Sequence, residues 1–228
     1  MSHALYGLGG LRFWSDQEIE RREAFQLHAS NTIRRTLLAT NPAWRFARME
    51  GPCLSPRDQI GAAYGDDDIF VTNHKAGGDY LCLAPETTAS TYAYARSMGG
   101  KLPLCVWQAR KSFRRETNDG ASAAKLRFNE FWQLEFQCIY AKGSSADYRC
   151  AMIKAVSPLI ERHTGRSTRV VESDRLPSYS MSTLDIEVYL GGEVWREVAS
   201  CSLRTDYSDE TTVAEIAIGL DRIVEVTI

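Results

Sequence analysis

"FWQLEFQCIY", residues 131–140, alternates apolar with polar from Trp132 to Cys138. Trp132, Leu134, Phe136, Cys138 and Tyr140 fall on one side of an extended chain, and Phe131, Gln133, Glu135 and Gln137 on the other. Successive side chains of a strand point to opposite faces, so this period of two predicts a strand with one apolar and one polar face. Such a polar face is either bathed in solvent, the commoner case, or the floor of a site. The stretch "STLDIEVYL", residues 182–190, sets Leu184, Ile186, Val188 and Leu190 against Asp185, Glu187 and Tyr189. Gly191-Gly192 then turns the chain into "EVWREVASCSL", which predicts a hairpin.

Helices are set apart from these strands. Ser15 with Glu18 three positions on is a capping-box pattern, and it predicts a long helix that stops at Asn41-Pro42. "AWRFARMEGPCLSP" predicts a strand ended by proline, and Ser55 to Asp79 predicts loops and short strands. "YLCLAP" predicts a short strand and "ETTASTYAYARSM" a helix ending before Gly99-Gly100. "SADYRCAMIKAVSPLIERHTG" has helical spacing, with a kink or break expected at Pro158 and a stop at Gly165. "TTVAEIAIGLDRIVEVTI" predicts a strand through Ile218, a glycine and a short helix. Adjacent strands with separate helices predict an α+β fold, an antiparallel sheet flanked by helices, in one domain over residues 1–228. No phosphate loop or GxGxxG pattern is present.

Composition narrows the function. The chain has 228 residues, 44% of them hydrophobic, enough for a sizeable core. A formal net charge of −2 excludes bulk attraction to nucleic acid, so any such contact needs a local patch. The six cysteines form no CxxC pair, which argues against a zinc ribbon or a disulfide scaffold. "MSHALYGLGG" lacks the basic and apolar regions of a secretory signal, and no apolar run reaches membrane-spanning length. A reduced, soluble, cytoplasmic protein is expected. The histidines, His3, His28, His74 and His163, have no evident partners, and Tyr92, Tyr94 and Met98 are expected to pack.

The basic patch is in "WQARKSFRRETND", residues 107–119, where Phe113 stands amid Arg110, Lys111, Arg114 and Arg115 and Glu116 follows directly behind them. The following loop and "LRFNEF" complete a hairpin whose arms bring Arg114, Glu116, Arg127 and Glu130 together. Guanidinium forks suit phosphate oxygens, and an aromatic such as Phe131 can stack on a purine.

"FRRE…LRFNEF" resembles motif 2 of the class II aminoacyl-tRNA synthetases. The segment around 32–56, ending at its prolines, resembles motif 1; residues 105–140 span motif 2; "AIGLDRIVEV", within 213–228, resembles motif 3. "LAPETTAS", "DIEV", "WREVASCSLRTDY" and "EIAIGLDR" resemble segments of glycyl-tRNA synthetases, and "EVASCS" is similar to one of the seryl branch. The resemblance implies an ATP-dependent ligase that forms an aminoacyl-adenylate, with Mg²⁺ brought by ATP, homodimeric through motif 1. A small amino acid is implied, with glycine the first candidate, and the acceptor end of tRNA as partner. No anticodon-binding domain is expected, because the chain stops within the motif 3 helix. A carrier protein, a small amine or a modified nucleotide is the alternative acceptor, and a non-catalytic paralogue is the rival from another class.

Site roles follow from the same resemblance. Arg114 would hold the α-phosphate and the amino-acid carboxylate, Glu116 the adenine edge, and Phe131 would stack on adenine. Arg127 and Arg222 would hold the γ-phosphate end, and Glu187 and Glu197 the magnesium and ribose. Arg114, Arg222 and Glu197 would be catalytic. Glu86, Glu130, Gln133, Ser200 and Arg204 would line the amino-acid pocket. No zinc is assigned to Cys82 or Cys201. The chain departs from the glycyl pattern at Ala84, Asn129, Ile216 and Ala217, which sets its amino-acid specificity apart from its ATP half.

Overall fold

The computed structural model describes residues 10–60, 64–76, 78–116, 120–174 and 178–228. His3 and the loop tip at 117–119 lie outside the described residues. In chain order the elements are α1 (Asp16–Thr40), β1 (Arg45–Arg48), β2 (Leu54–Pro56), β3 (Phe70–Ala76), β4 (Asp79–Leu83), α2 (Thr88–Ser97), β5 (Leu104–Phe113), β6 (Glu130–Ala141), α3 (Tyr148–Thr164), β7 (Thr168–Glu172), β8 (Ser180–Gly191), β9 (Val194–Arg204), β10 (Thr211–Gly219) and α4 (Leu220–Val226). Seven strands form the main sheet in the order β1-β5-β6-β10-β9-β8-β7, and β2-β4-β3 form a small second sheet. The antiparallel expectation holds for the main sheet except at its edge, where β1 runs parallel to β5. The edge strand β7 carried no clear alternation and was not anticipated.

One face of the sheet is covered by helices. Leu134, Phe136 and Cys138 of β6 stand beside Ile218, Ile216 and Ala214 of β10, all fully or nearly fully buried. Against them pack Phe25, Ala29, Ile33 and Leu37 of α1, a stripe at helical spacing, and Met152, Val156 and Ile160 of α3. The α1 start is the expected capping box: Ser15 Oγ accepts from the Glu18 N–H at 3.4 Å, and Glu18 Oε2 accepts from the Ser15 N–H at 2.8 Å. No break occurs at Pro158: α3 runs unbroken through it to Gly165, whose φ of 68° closes it. The buried stripe on both sides of Pro158 outweighs the missing N–H, since tertiary packing carries most helical stability.

On the other face, α2 covers one end. Tyr92 and Ala95 pack on Leu104, Val106, Ile139 and Val213, with Met98 alongside, while Tyr94 stays 37% exposed. In the β8–β9 hairpin, Ile186 pairs with Ala199 but Glu187 pairs with Glu197, leaving Val198 as an extra residue in β9. Two of the histidines do meet: His28 Nδ1 of α1 lies 2.9 Å from His163 Nε2 of α3.

Candidate functional site

The polar face of β6 is the floor of a cleft rather than a solvent face. Gln133, Glu135 and Gln137 are at most 6% exposed. Register carries that floor across the sheet: Glu135 lies opposite Ala217, Ala217 opposite Ser200, and Ser200 opposite Asp185. The neighbouring row is Gln137, Glu215, Ser202 and Thr183. The cleft measures about 310 Å³, the size of a small-molecule site.

Arginines gather at one part of it. Arg114, just past β5, donates from Nε to the Pro85 carbonyl at 3.1 Å and from Nη2 to the Tyr64 hydroxyl at 2.9 Å. Its guanidinium carbon lies 5.1 Å from the Phe131 ring centre. Nη1 makes no hydrogen bond among the described residues, so the fork keeps a free donor in the cleft. Burial opposes the Arg114 charge, but Tyr64, Glu86, Glu197 and Glu116 outweigh it and raise its pKa. Arg222, from α4, donates to the Leu126 and Glu197 carbonyls at 3.0 Å each and pairs with Glu197 Oε1 at 3.0 Å. Arg127 pairs with Glu116 at 3.4 Å, and Glu116 N–H donates to Asn129 Oδ1 at 2.7 Å. Gly219 lines the cleft where a Cβ would stand 3.1 Å from Arg222 Cδ, so glycine gives the arginine its room.

Carboxylates fill the rest. Two arginines fix the backbone at Pro85 and Glu86: Arg110 of β5 donates from Nη2 to the Glu86 carbonyl at 2.6 Å, and Arg114, just past β5, holds that of Pro85. Burial pushes the Glu86 carboxyl up, and Arg204 opposes the rise. Glu135 accepts from Gln137 at 2.8 Å, Gln133 at 3.0 Å and Thr88 at 3.2 Å, all neutral donors. Burial and then the charge of Glu215 push it up to about 7. Burial also raises Asp185. Glu215 accepts from Arg204 Nη1 at 2.5 Å, and Arg204 also grips Asp206 and stacks 3.9 Å from the Tyr179 ring centre. The cleft can thus hold an anionic chain with a flat base at one part and a cationic or donor-rich group at the other.

A model of the tRNA synthetase class II core domain (G, H, P, S and T) matches residues 70–222. The chain belongs to that family. Glycine–tRNA ligases of Macrococcus caseolyticus and Staphylococcus epidermidis are 30% and 31% identical over 135 residues, which is 56% of this chain and 29% and 28% of theirs. The chain therefore spans under a third of those relatives' length. Two solved structures share the fold. Prolyl-tRNA synthetase from Cryptosporidium parvum, complexed with halofuginone and AMPPNP, superposes with a TM-score of 0.72 at 12% identity, over 97% of this chain and 48% of that one. Cytoplasmic serine-tRNA ligase from Naegleria fowleri, in complex with AMP, gives 0.69 at 16% identity, over 96% and 50%.

In this synthetase core, Glu86, Arg114, Glu116, Arg127, Phe131, Gln133, Glu197, Ser200 and Arg222 come together around the cleft. Three of the residues expected there do not. Glu187 lies toward the outer part of the sheet, where Arg169, directly across on β7, takes its carboxylate at 2.7 Å. Glu130 is held in an ion pair by Lys111, its neighbour on β5, outside the cleft. Arg204 is 3% exposed and does not itself line the cleft; on the same face of β9 as Ser200 and Ser202, it holds Glu215, which does. The sequence reading gave no role to Glu135, Asp185, Glu215, Tyr64, Tyr179 or Asp221. The parity of Glu135 with Gln133, and of Asp185 with Glu187, was the available signal. Tyr64 and Tyr179 sit in irregular segments with none.

Proposed function

We propose that this chain activates an amino acid with ATP and passes the aminoacyl group to the acceptor end of a tRNA. The observation that carries this reading is the meeting of Arg114 and Arg222, 108 positions apart in the chain, in one cleft over the floor of β6 and β10. Arg114 is suited to the α-phosphate and to the substrate carboxylate through its free Nη1, with Phe131 as the adenine platform. Arg222 and Arg127 are suited to the outer phosphates. Glu86, Glu135 and Glu215 suit the substrate ammonium, and Glu135 would ionise fully when a cation arrives.

No nucleophilic side chain is needed. An oxygen of the substrate carboxylate attacks the α-phosphorus, the bond from that phosphorus to the β-phosphate oxygen breaks, and pyrophosphate leaves. An acceptor hydroxyl then attacks the carbonyl carbon, its proton passes to the departing phosphate or to solvent, and AMP leaves with the electrons of the broken carbonyl–oxygen bond. Both steps ask for positioning and for charge neutralisation in place, which fixed guanidinium groups supply. Magnesium would come with the phosphates. Among the described residues no group of three His, Cys, Asp or Glu side chains is placed to hold a metal by itself. Glu197, at the Arg222 part of the cleft, is the carboxylate suited to it.

The glycine–tRNA ligases make glycine the first substrate to try. A homodimer formed through residues 32–56 goes with this reading. No helix among the described residues is long and apolar enough to cross a membrane. ATP–pyrophosphate exchange tested with each amino acid decides the matter: exchange with one of them is expected, and none with any overturns the reading. Charging of acceptor-stem minihelices then tells tRNA from a carrier protein or small amine as acceptor.

A further inference from the structure

Asp221 is a buried charge that the proposed chemistry leaves unused. It is the second residue of α4, 1% exposed, and it stands between the cleft and a second cavity bounded by Arg12, Phe13, Trp14 and Trp132. Its Oδ2 accepts the backbone N–H of Trp132. The ladder between β6 and β10 ends one residue before, at the Gln133–Gly219 pair. The carboxylate thus extends that ladder past the point where β10 turns into α4. Its Oδ1 is buried without a hydrogen bond among the described residues. A buried acceptor left unmade is costly, so a position that keeps one calls for a reason.

The neighbours give one. Trp132 lies between Phe131 and Gln133, which both line the cleft, and Asp221 directly precedes Arg222, which lines it too. One carboxylate therefore joins the strand that carries the aromatic platform to the helix that carries the guanidinium. We propose that Asp221 is a positioning residue for the nucleotide, setting Phe131 and Arg222 relative to each other through its bond to the Trp132 amide. The proposal rests on the reading of the cleft as an ATP site.

Its charge state matters to that bond. Arg12, ahead of α1, stacks on Trp14 and is paired with Glu18 and Glu225. Arg22 of α1 stacks 4.2 Å from the Trp132 ring centre. Lys111 is paired with Glu130, and Arg222 with Glu197. Among the described residues none of these cations forms an ion pair with the Asp221 carboxylate. Burial pushes the carboxyl up to about 7, although the Trp132 N–H, Arg12 and Arg22 pull the other way. The ionised form is the stronger acceptor, so the clamp tightens as pH rises through neutrality.

Calorimetric titration of Mg·ATP into the wild type, Asp221→Asn and Asp221→Ala, at about pH 6 and about pH 8.5, tests this. Asp221→Ala is expected to bind roughly tenfold or more weakly at the higher pH while melting as a folded protein. Asp221→Asn keeps a neutral acceptor. Comparing wild type with it cancels the titration of ATP itself, and their affinity ratio is expected to move several-fold in favour of wild type as pH rises. A constant ratio, or Asp221→Ala binding like wild type, overturns the proposal alone. No Mg·ATP binding by the wild type overturns the nucleotide reading and takes this proposal with it.

Discussion

At the scale of single residues, the cleft is a set of charges held by backbone and hydroxyl partners. Arg114 is anchored by the Pro85 carbonyl and Tyr64, so it meets a ligand already oriented. Preorganised donors of this kind are worth about a hundredfold or more in rate. Arg114→Ala is therefore expected to lower pyrophosphate exchange by roughly that factor with little change in melting temperature. Glu135 predicts a pH effect on stability. Its folded pKa is raised from 4.5 to about 7, so the protonated form favours folding. That contribution is complete below the unfolded value and is lost as pH rises through about 7. Wild type should lose up to about 3 kcal/mol relative to Glu135→Gln between pH 4 and pH 8, read by denaturant melts of both proteins across that range.

At the scale of elements, stability and activity separate. The α1 stripe is buried on the helix-covered face, away from the cleft. Ile33→Ala should cost about 2–5 kcal/mol, and Ser15→Ala, which removes the cap, about 1 kcal/mol, with exchange per folded molecule unchanged. A loss of specific exchange activity in either variant would contradict that division. The elements were also what the sequence disclosed best. Alternation in residues 131–140 and 182–190 and the capping box at Ser15 are local signals, and the strands and helix formed where they pointed. The gathering of Arg114, Arg127 and Phe131 was legible because they share one hairpin. Asp185 and Glu215 escaped because their place depends on how β8 and β10 align with their neighbours. Glu187 and Glu130 were misplaced for a related reason: cross-strand partners, Arg169 and Lys111, claim them, and pairing is invisible along one chain.

At the scale of the whole molecule, the sheet has two buried faces with different work. One is sealed by α1, α3 and α4 and supplies the core; the other keeps its polar groups along the cleft. The proposed homodimer is checked by light scattering on the purified chain, with twice the 25.6 kDa chain mass expected and the single mass counting against it. The extra residue at Val198 has its own consequence for the molecule as inherited. Downstream of it Ser200 and Ser202 face the cleft at even positions, yet Glu197 faces it from an odd one. Were β9 to run straight with Val198 retained, alternation would swing the acidic side chain beneath Arg222 into the greasy layer under the helices; losing Val198 would straighten the strand and leave that side chain on the cleft side. A chain shortened by that one residue should therefore still carry its acidic group under the guanidinium, and the bulge is what lets the longer strand do the same.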